Sequence, residues 1–108
     1  MMVDLDRVIG SALKSGRMFF GSKQTIRASE SRRTVALIVA SNCPTKTLTE
    51  IKNRATLLKI PVFMYPGSNS DLGVTCRKRF AISALAIREI NDDAILRMVR
   101  ESNESAGS

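Results

Sequence analysis

The chain has 108 residues, enough for one domain with a modest core, and 44% of them are hydrophobic. Its 17 Lys and Arg against 10 Asp and Glu give a net charge of +7, so a polyanion is the expected large partner; the lack of histidine excludes a histidine base or metal ligand. No apolar run reaches the roughly 18 residues of a membrane span and no signal peptide pattern is seen, so we expect a cytoplasmic protein.

The first part of the chain predicts a helix, a short strand and a second helix. Apolar residues recur at helical spacing from Asp4, the expected N-cap, to Gly16, where the first helix should end. A strand is expected at residues 17–20 and a second helix at residues 22–29, with Ile26 as the main apolar anchor of that helix.

The middle of the chain predicts a buried strand and a longer helix. The run TVALIVA, residues 34–40, is uninterrupted and rich in β-branched residues, which is typical of a strand covered on both faces. After a short loop, Thr45 or Thr47 is expected to cap a helix that continues to about Lys59. The strand should therefore lie at the centre of the sheet.

The last part of the chain predicts two more strands and two short helices. We expect a strand at residues 62–65, a helix at residues 68–76, a fourth strand at residues 80–87 and a short helix or extension at residues 94–99. Residues 101–108 are small and polar, which predicts a disordered tail.

Helices that alternate with buried strands predict an α/β fold, in which helices cover both faces of one sheet. We expect a single domain over residues 1–100. If the strands that end at Phe20, Ala40 and Tyr65 run parallel, the three loops that follow them emerge at the same edge of the sheet. Open α/β folds bind their ligands at that edge, so it is the candidate site.

The first of these loops leads into a helix whose charges oppose the helix dipole. Lys23 lies in the expected first turn, where a cation is unfavourable unless an anion lies beside it. Arg27 follows one turn later, Gln24 offers an amide to base edges, and Gly21 lets a ligand approach the backbone. Contact with a phosphate would explain this pattern; so would a solvated helix whose cations serve solubility.

The second and third loops carry polar groups and a basic run. Asn42 follows a buried strand, where it can cap its own turn, the commoner case, or present its amide to a ligand. Residues 67–73 are rich in glycine, serine and asparagine, and RKRF at residues 77–80 places three cations beside an aromatic ring. The run fits a strand of nucleic acid, and it also fits a solvated turn.

Catalytic and cofactor sites find no support in the sequence. The glycines form neither a dinucleotide-binding nor a triphosphate-binding motif, and the acids fall at helix starts or turns, where N-capping explains them. Cys43 and Cys76 lack the paired spacing of zinc sites, and we interpret both as free thiols. We therefore expect no enzyme, no cofactor and no metal.

Four segments, in this order and spacing, resemble one known family: GSKQTIR, LIVASNCP, IPVFMY and SNSDLG. They are similar to the large-subunit ribosomal protein family L-thirty-e of archaea and eukaryotes, a relative of the L-seven-Ae kink-turn binders, over residues 3–100. The resemblance implies a three-layer α-β-α sandwich with a four-stranded mixed sheet. It also implies binding to kink-turn RNA loops, through their tandem sheared G·A pairs and the bent backbone beside them.

The resemblance further implies which residues face the RNA. By position these are Gly21, Lys23, Gln24 and Arg27 of the first loop and helix, Asn42 of the second loop, and Ser70, Asp71, Leu72 and Gly73 of the third. To this set we add Ser22 and the basic run of Arg77, Lys78 and Arg79. The chain departs from the family pattern at Arg77, where relatives commonly carry glycine, and at Asp71, where they usually carry Glu.

We therefore predict a structural component of the large ribosomal subunit, monomeric when free, with rRNA and neighbouring ribosomal proteins as partners and no membrane contact. Cations would supply salt-dependent affinity, while backbone amides, Gln24 and Asn42 would read base edges. The alternatives are a kink-turn-binding subunit of another RNA-processing particle, the recognition half of an RNA-modifying enzyme that needs a partner subunit, and a module that binds an acidic protein.

Overall fold

The computed structural model describes residues 5–15, 18–28, 34–88, 95–97 and 99–100. In chain order its elements are α1 (Leu5–Ser15), β1 (Met18–Phe20), α2 (Ser22–Ala28), β2 (Ala36–Ala40), α3 (Thr45–Leu58), β3 (Val62–Tyr65), α4 (Asn69–Thr75) and β4 (Ala84–Ile87). Residues 95–97 and 99–100 are also helical, so the described part of the last helix ends one residue beyond the expected range of 94–99. No helix among the described residues is long and apolar enough to cross a membrane.

The four strands form one mixed sheet in the order β1-β4-β2-β3. β2 and β3 pair in parallel, with Ile38 opposite Phe63, whereas β4 pairs antiparallel with both β2 and β1. Consequently β1, β2 and β3 point in the same direction and only β4 runs against them. The expected α/β fold with a four-stranded mixed sheet is confirmed.

The two faces of the sheet form two separate cores, and β2 contributes to both. Ile38 and its neighbours at alternate positions face α1 and α4, whereas Leu37 and Val39 face α2 and α3. In β4, Ala84 and Ala86 lie on the face covered by α2 and α3. We call the face covered by α1 and α4 the α1 side, and the face covered by α2 and α3 the α2 side. Every residue of β2 and β4 is buried, as the uninterrupted apolar run in β2 predicts.

The Tyr65 hydroxyl ties the helices of the α1 side to the end of β3. It donates a hydrogen bond to Asp6 Oδ1 at 3.3 Å, and it lies 2.6 Å from Thr75 Oγ1. Because Asp6 belongs to α1 and Thr75 to α4, one side chain connects three elements. α4 is thereby held at the end of the sheet where the candidate loops emerge.

The fourth strand is shorter than the sequence predicts. Residues 80–83 are not part of the sheet, and β4 begins at Ala84. The backbone of this segment serves α4 instead, since the Ile82 N–H donates to the Asn69 carbonyl at 2.9 Å and the Phe80 carbonyl lies against Gly73. The predicted strand at residues 80–87 is therefore wrong in its first half, and β2 likewise begins two residues late, at Ala36.

The predicted cap of α3 is wrong, and the predicted apolar anchor of α2 packs against the core without being fully buried. α3 begins directly after Pro44, which has no side-chain cap, so Thr45 and Thr47 lie inside the helix rather than capping it. In α2 the buried residues are Thr25 and Ala28, while Ile26 is only half-buried. Thr25 tolerates full burial because its hydroxyl donates to the Gly21 carbonyl at 2.8 Å.

Some expectations fall outside the described residues, namely the cap at Asp4, the helix end at Gly16 and the tail at residues 101–108. Both cysteines are free thiols, as expected. Burial raises the pKa of Cys76 to about 11 and also raises the pKa of Cys43, so both remain protonated at neutral pH.

Candidate nucleic-acid interface

The loops after β1, β2 and β3 meet at one edge of the sheet, which we call the loop edge. The Ser41 N–H and hydroxyl both donate to the Gly67 carbonyl, at 3.0 and 2.8 Å, and so join the second loop to the third. The Gly21 N–H donates to the Ala84 carbonyl at 2.9 Å and so joins the first loop to β4. The prediction that the three loops converge is confirmed by this sheet topology.

A pair of asparagines locks the second loop to the third. Asn42 Oδ1 accepts from the Asn69 N–H at 2.8 Å, and Asn42 Nδ2 donates to Asn69 Oδ1 at 3.2 Å. We call this pair the asparagine clasp. The sequence left open whether Asn42 caps its own turn or faces a ligand, and the structure gives its amide a third role: it fixes the start of α4 relative to β2.

Gly21 sets the direction in which α2 leaves the sheet. Its φ of 101° lies in the region that favours glycine. Its carbonyl accepts from both the backbone N–H and the hydroxyl of Thr25, at 2.9 and 2.8 Å. These two hydrogen bonds fix the first turn of α2 to Gly21, and they do not involve the outward face of the helix.

That outward face is cationic and lacks compensation from its own helix. Lys23, Gln24 and Arg27 are exposed, Ser22 is half-buried, and the first turn of α2 contains no acid. Lys23 therefore lies near the positive end of the helix dipole without a carboxylate in that turn. The sequence predicted this arrangement correctly.

Lys46 repeats the pattern in α3, and the sequence reasoning missed it. It is exposed in the first turn of a helix that also has no acid there and no side-chain cap. Because α3 follows β2 directly, this turn lies at the same loop edge. The signal that identified Lys23, a cation in an acid-free first turn, would have found Lys46 as well.

α4 has the opposite arrangement, with a complete capping box. Ser68 Oγ accepts from the Asp71 N–H at 3.3 Å, and Asp71 Oδ2 accepts from the Ser68 N–H at 3.0 Å. The Asp71 carboxylate is thus used to satisfy the helix start. Ser70, beside it, is exposed.

Leu72 and Gly73 lie inside the protein rather than on its surface. The Leu72 side chain is fully buried on the α1 side, so it cannot touch a ligand, contrary to its predicted place among the RNA-facing residues. A Cβ on Gly73 would overlap the carbonyl oxygen of Phe80. Both residues support the loop edge from the interior of the protein. The Leu72 side chain anchors α4 in the core, and Gly73 lets the segment at Phe80 pass close to α4.

Arg77 occupies a position where the backbone favours glycine. Its φ is 60°, its N–H donates to the Val74 carbonyl at 2.9 Å, and the Lys78 N–H donates to the Gly73 carbonyl at 2.9 Å. This pair of bonds around a left-handed residue is a Schellman motif, which usually has glycine at that position. The geometry gives the physical reason why a glycine suits this position and why Arg77 is the costlier choice.

The segment after α4 presents cations and an aromatic ring together. Arg77, Lys78 and Arg79 are exposed, and so is Phe80, with 58% of its surface accessible. Lys78 Nζ lies 4.9 Å from the centre of the Phe20 ring, at the end of β1. The basic run therefore lies beside the first loop, and the ring of Phe80, which the sequence placed in a strand, is free at the surface.

Among the described residues, no group of histidines, cysteines or acids is arranged to hold a metal ion. The charged side chains that the structure describes at the loop edge are mostly the exposed cations above; two carboxylates lie there as well, Asp71, which caps α4, and Asp6, which accepts from the Tyr65 hydroxyl. The arrangement is a preformed, positively charged surface with exposed amide, hydroxyl and aromatic groups. Such a surface suits a phosphate-bearing partner.

Comparison with known proteins gives a family match over most of the chain. Residues 4–97 match the model of the Ribosomal protein L7Ae/L30e/S12e/Gadd45 family. The chain is 31% identical to large ribosomal subunit protein eL30 of Methanopyrus kandleri over 99% of this chain and 98% of that one. It is 36% identical to the eL30 of Methanothermobacter thermautotrophicus, covering 90% and 99% of the two chains.

The fold has counterparts among solved structures. The 15.5kD RNA binding protein of Giardia lamblia superimposes with a TM-score of 0.79 at 15% identity, covering 95% of this chain and 84% of that one. A protein of unknown function from Bacillus halodurans C superimposes with a TM-score of 0.74 at 16% identity, covering 95% and 99%. At these identities the likeness concerns the fold.

Replacing Gly73 by Ala should destabilise the protein by roughly 1–3 kcal/mol, because the added methyl group meets backbone that no side-chain rotation can move. Gly10, inside α1, has nothing within 4 Å of an added Cβ. Gly10→Ala should therefore raise the free energy of unfolding, by about 0.5–1 kcal/mol. Urea unfolding followed by circular dichroism measures both, and shifts of the same sign would contradict the packing described for Gly73.

Replacing Arg77 by Gly should raise the free energy of unfolding by about 0.5–1 kcal/mol, because glycine adopts the left-handed backbone without steric cost. This gain exceeds the opposing effect of glycine, which increases the entropy of the unfolded chain. Lys59, which ends α3 with a φ of 57°, provides a matched control far from the loop edge. Lys59→Gly should stabilise by a similar amount. A loss of stability in Arg77→Gly alone would show that the Arg77 side chain stabilises the fold.

Proposed function

Because the chain belongs to the Ribosomal protein L7Ae/L30e/S12e/Gadd45 family, we propose that it is a structural component of the large ribosomal subunit that binds a kink-turn-type internal loop of rRNA. The observation that carries the proposal is the loop edge, where three neighbouring loops, the second and third joined by hydrogen bonds, present exposed cations beside an exposed aromatic ring. In this role the protein is part of cytoplasmic ribosomes and lies beside neighbouring ribosomal proteins. It consists of one RNA-binding domain and has no catalytic activity.

The loop edge offers a rigid shape to a bent RNA. The asparagine clasp and the Ser41–Gly67 bonds fix the second and third loops to each other before any ligand binds. A preformed surface avoids much of the entropy cost of ordering loops on binding. It can therefore prefer an RNA whose backbone is already sharply bent over a straight duplex, which is recognition by shape.

Phosphates of the bent backbone resolve the electrostatic conflict at the helix starts. Lys23 and Lys46 each lie in the first turn of a helix without an acid, near the positive end of its dipole. An RNA phosphate beside either turn interacts favourably with the dipole and the cation at once. Arg79 and its basic neighbours extend the positive surface across the third loop. These contacts supply affinity that falls as salt rises.

Bases exposed by the sheared geometry are read by the remaining groups. The Gln24 amide is exposed and can donate and accept at a base edge, and the Phe80 ring can stack on an unpaired base. Asn42 contributes chiefly through the clasp, with its second Nδ2 hydrogen left over for a base. Leu72 and Gly73 contribute by position alone.

The proposal predicts a specific preference among three RNAs: a kink-turn, the same RNA with its G·A pairs made Watson–Crick, and a straight duplex. The protein should prefer the kink-turn by about a hundredfold or more, and the preference should survive a rise in salt because base contacts and shape do not release counterions. Equal, salt-sensitive binding to all three would overturn the proposal and favour an acidic protein as partner.

Variants separate the two kinds of contact in the same titration. Lys23→Ala and Arg79→Ala should weaken binding to all RNAs and flatten the salt slope by about one unit each. Gln24→Ala and Asn42→Ala should cost roughly 1–3 kcal/mol on the kink-turn and little on the duplex. Lys59→Ala, at the far end of α3, serves as a matched control and should leave the preference unchanged. Identical behaviour of all five variants would contradict the division of roles.

A further inference from the structure

A cleft lies beside α2, on the α2 side of the sheet, and extends from the first turn of α2 to Thr34 and Arg88 at the edge opposite the three loops. Its volume is about 350 Å³, and its described lining consists of Phe19, Gln24, Arg27, Ala28, Thr34 and Arg88. β1 is an edge strand, so α2 and α3 leave the ring of Phe19 only half-buried there. The floor of the cleft is thus an aromatic ring, while its rim is polar.

Two guanidinium groups and an amide surround that ring. Arg88, which directly follows β4, has its Cζ 5.8 Å from the centre of the Phe19 ring. Arg27 and Gln24 reach the cleft from the exposed face of α2, one turn apart. The described lining contains two positive charges and no carboxylate. The Thr34 hydroxyl donates to the Ala28 carbonyl at 2.7 Å, so it closes the end of α2 and stabilises the cleft wall.

These groups match the parts of one nucleotide. A base can stack against Phe19, and the two guanidinium groups can hold its phosphate. The volume is at the lower end of the range for small-ligand pockets, roughly 300–1,000 Å³, so it suits a single unit rather than a duplex.

We propose that this cleft binds one unpaired nucleotide of the RNA strand that leaves the bent loop along α2. The inference rests on the proposed function, and it is argued from continuity: Lys23 lies at the loop edge, and Arg27 lies on the same face of α2, about 6 Å further along the helix axis. A strand whose phosphate contacts Lys23 arrives next at Arg27. The RNA interface then extends beyond the bend itself.

The experiment compares a bare kink-turn RNA with the same RNA carrying a short single-stranded extension, placed in turn at each strand end next to the loop. The kink-turn RNA with the extension at one of its strand ends should bind about tenfold more tightly than the bare kink-turn RNA. A gain of this size is expected for one stacked base. 2-Aminopurine placed in that extension should lose fluorescence on binding, because its base stacks on Phe19.

Two variants test the cleft itself, and two matched variants control for folding. Phe19→Leu and Arg88→Gln should each reduce the gain from the extension to less than about twofold while leaving the affinity for the bare loop unchanged. Phe63→Leu and Arg97→Gln make the same changes on the α1 side of the sheet and should leave the gain intact. If Phe19→Leu fails to fold, Arg88→Gln still decides the question.

The outcomes separate this inference from the proposed function. Preferential binding of the bare loop with no gain from either extension keeps the proposed function and overturns the cleft site. Absence of any preference for the bare loop overturns the proposed function instead. Adenosine monophosphate provides the last arm: if it binds with the same dependence on Phe19 and Arg88 but the extensions add nothing, the cleft holds a free nucleotide and the RNA assignment is overturned.

Discussion

The hydrogen bonds between the second and third loops are the constraint on which the rest of the interface depends. β1, β2 and β3 bring their carboxyl ends to one edge, but strand direction alone leaves three separate loops. The asparagine clasp and the Ser41–Gly67 bonds join the second and third loops into one surface, and the Gly21 N–H bond to the Ala84 carbonyl ties the first loop to β4 beside them. Asn69 also accepts from the Ile82 N–H and donates to Ser83 Oγ, so the same residue holds the segment that leads from the basic run into β4.

The cations at this edge are placed where they oppose local stability. Lys23 and Lys46 lie near the positive ends of helix dipoles, and Arg77 adopts a left-handed backbone at a Schellman position. The fold tolerates these costs because its two cores are well buried. Positive charge that is unfavourable in the free protein becomes favourable beside phosphate, which is the pattern expected when a surface is shaped by its partner.

The sequence predicted the fold well wherever the information was local. The apolar run of β2 predicted a strand in the middle of the sheet, and the cation in the first turn of α2 predicted an exposed positive face there. Features that depend on distant partners were not predictable: Asn42 and Asn69 are 27 residues apart, and residues 80–83 leave the sheet because their backbone serves α4. Leu72 was misplaced for a similar reason, since position within a motif does not reveal which way a side chain points.

The most direct test of the central claim is a map of amide chemical shifts of the 11.9 kDa protein with and without kink-turn RNA. The account predicts that the largest changes fall at the loop edge, at Gly21, Lys23, Asn69 and Lys78, and that Lys14 and Lys59, cations at the opposite edge of the sheet, stay unchanged. Changes centred on Lys14 and Lys59, or spread evenly over every basic residue, would contradict it and reduce the binding to an effect of net charge.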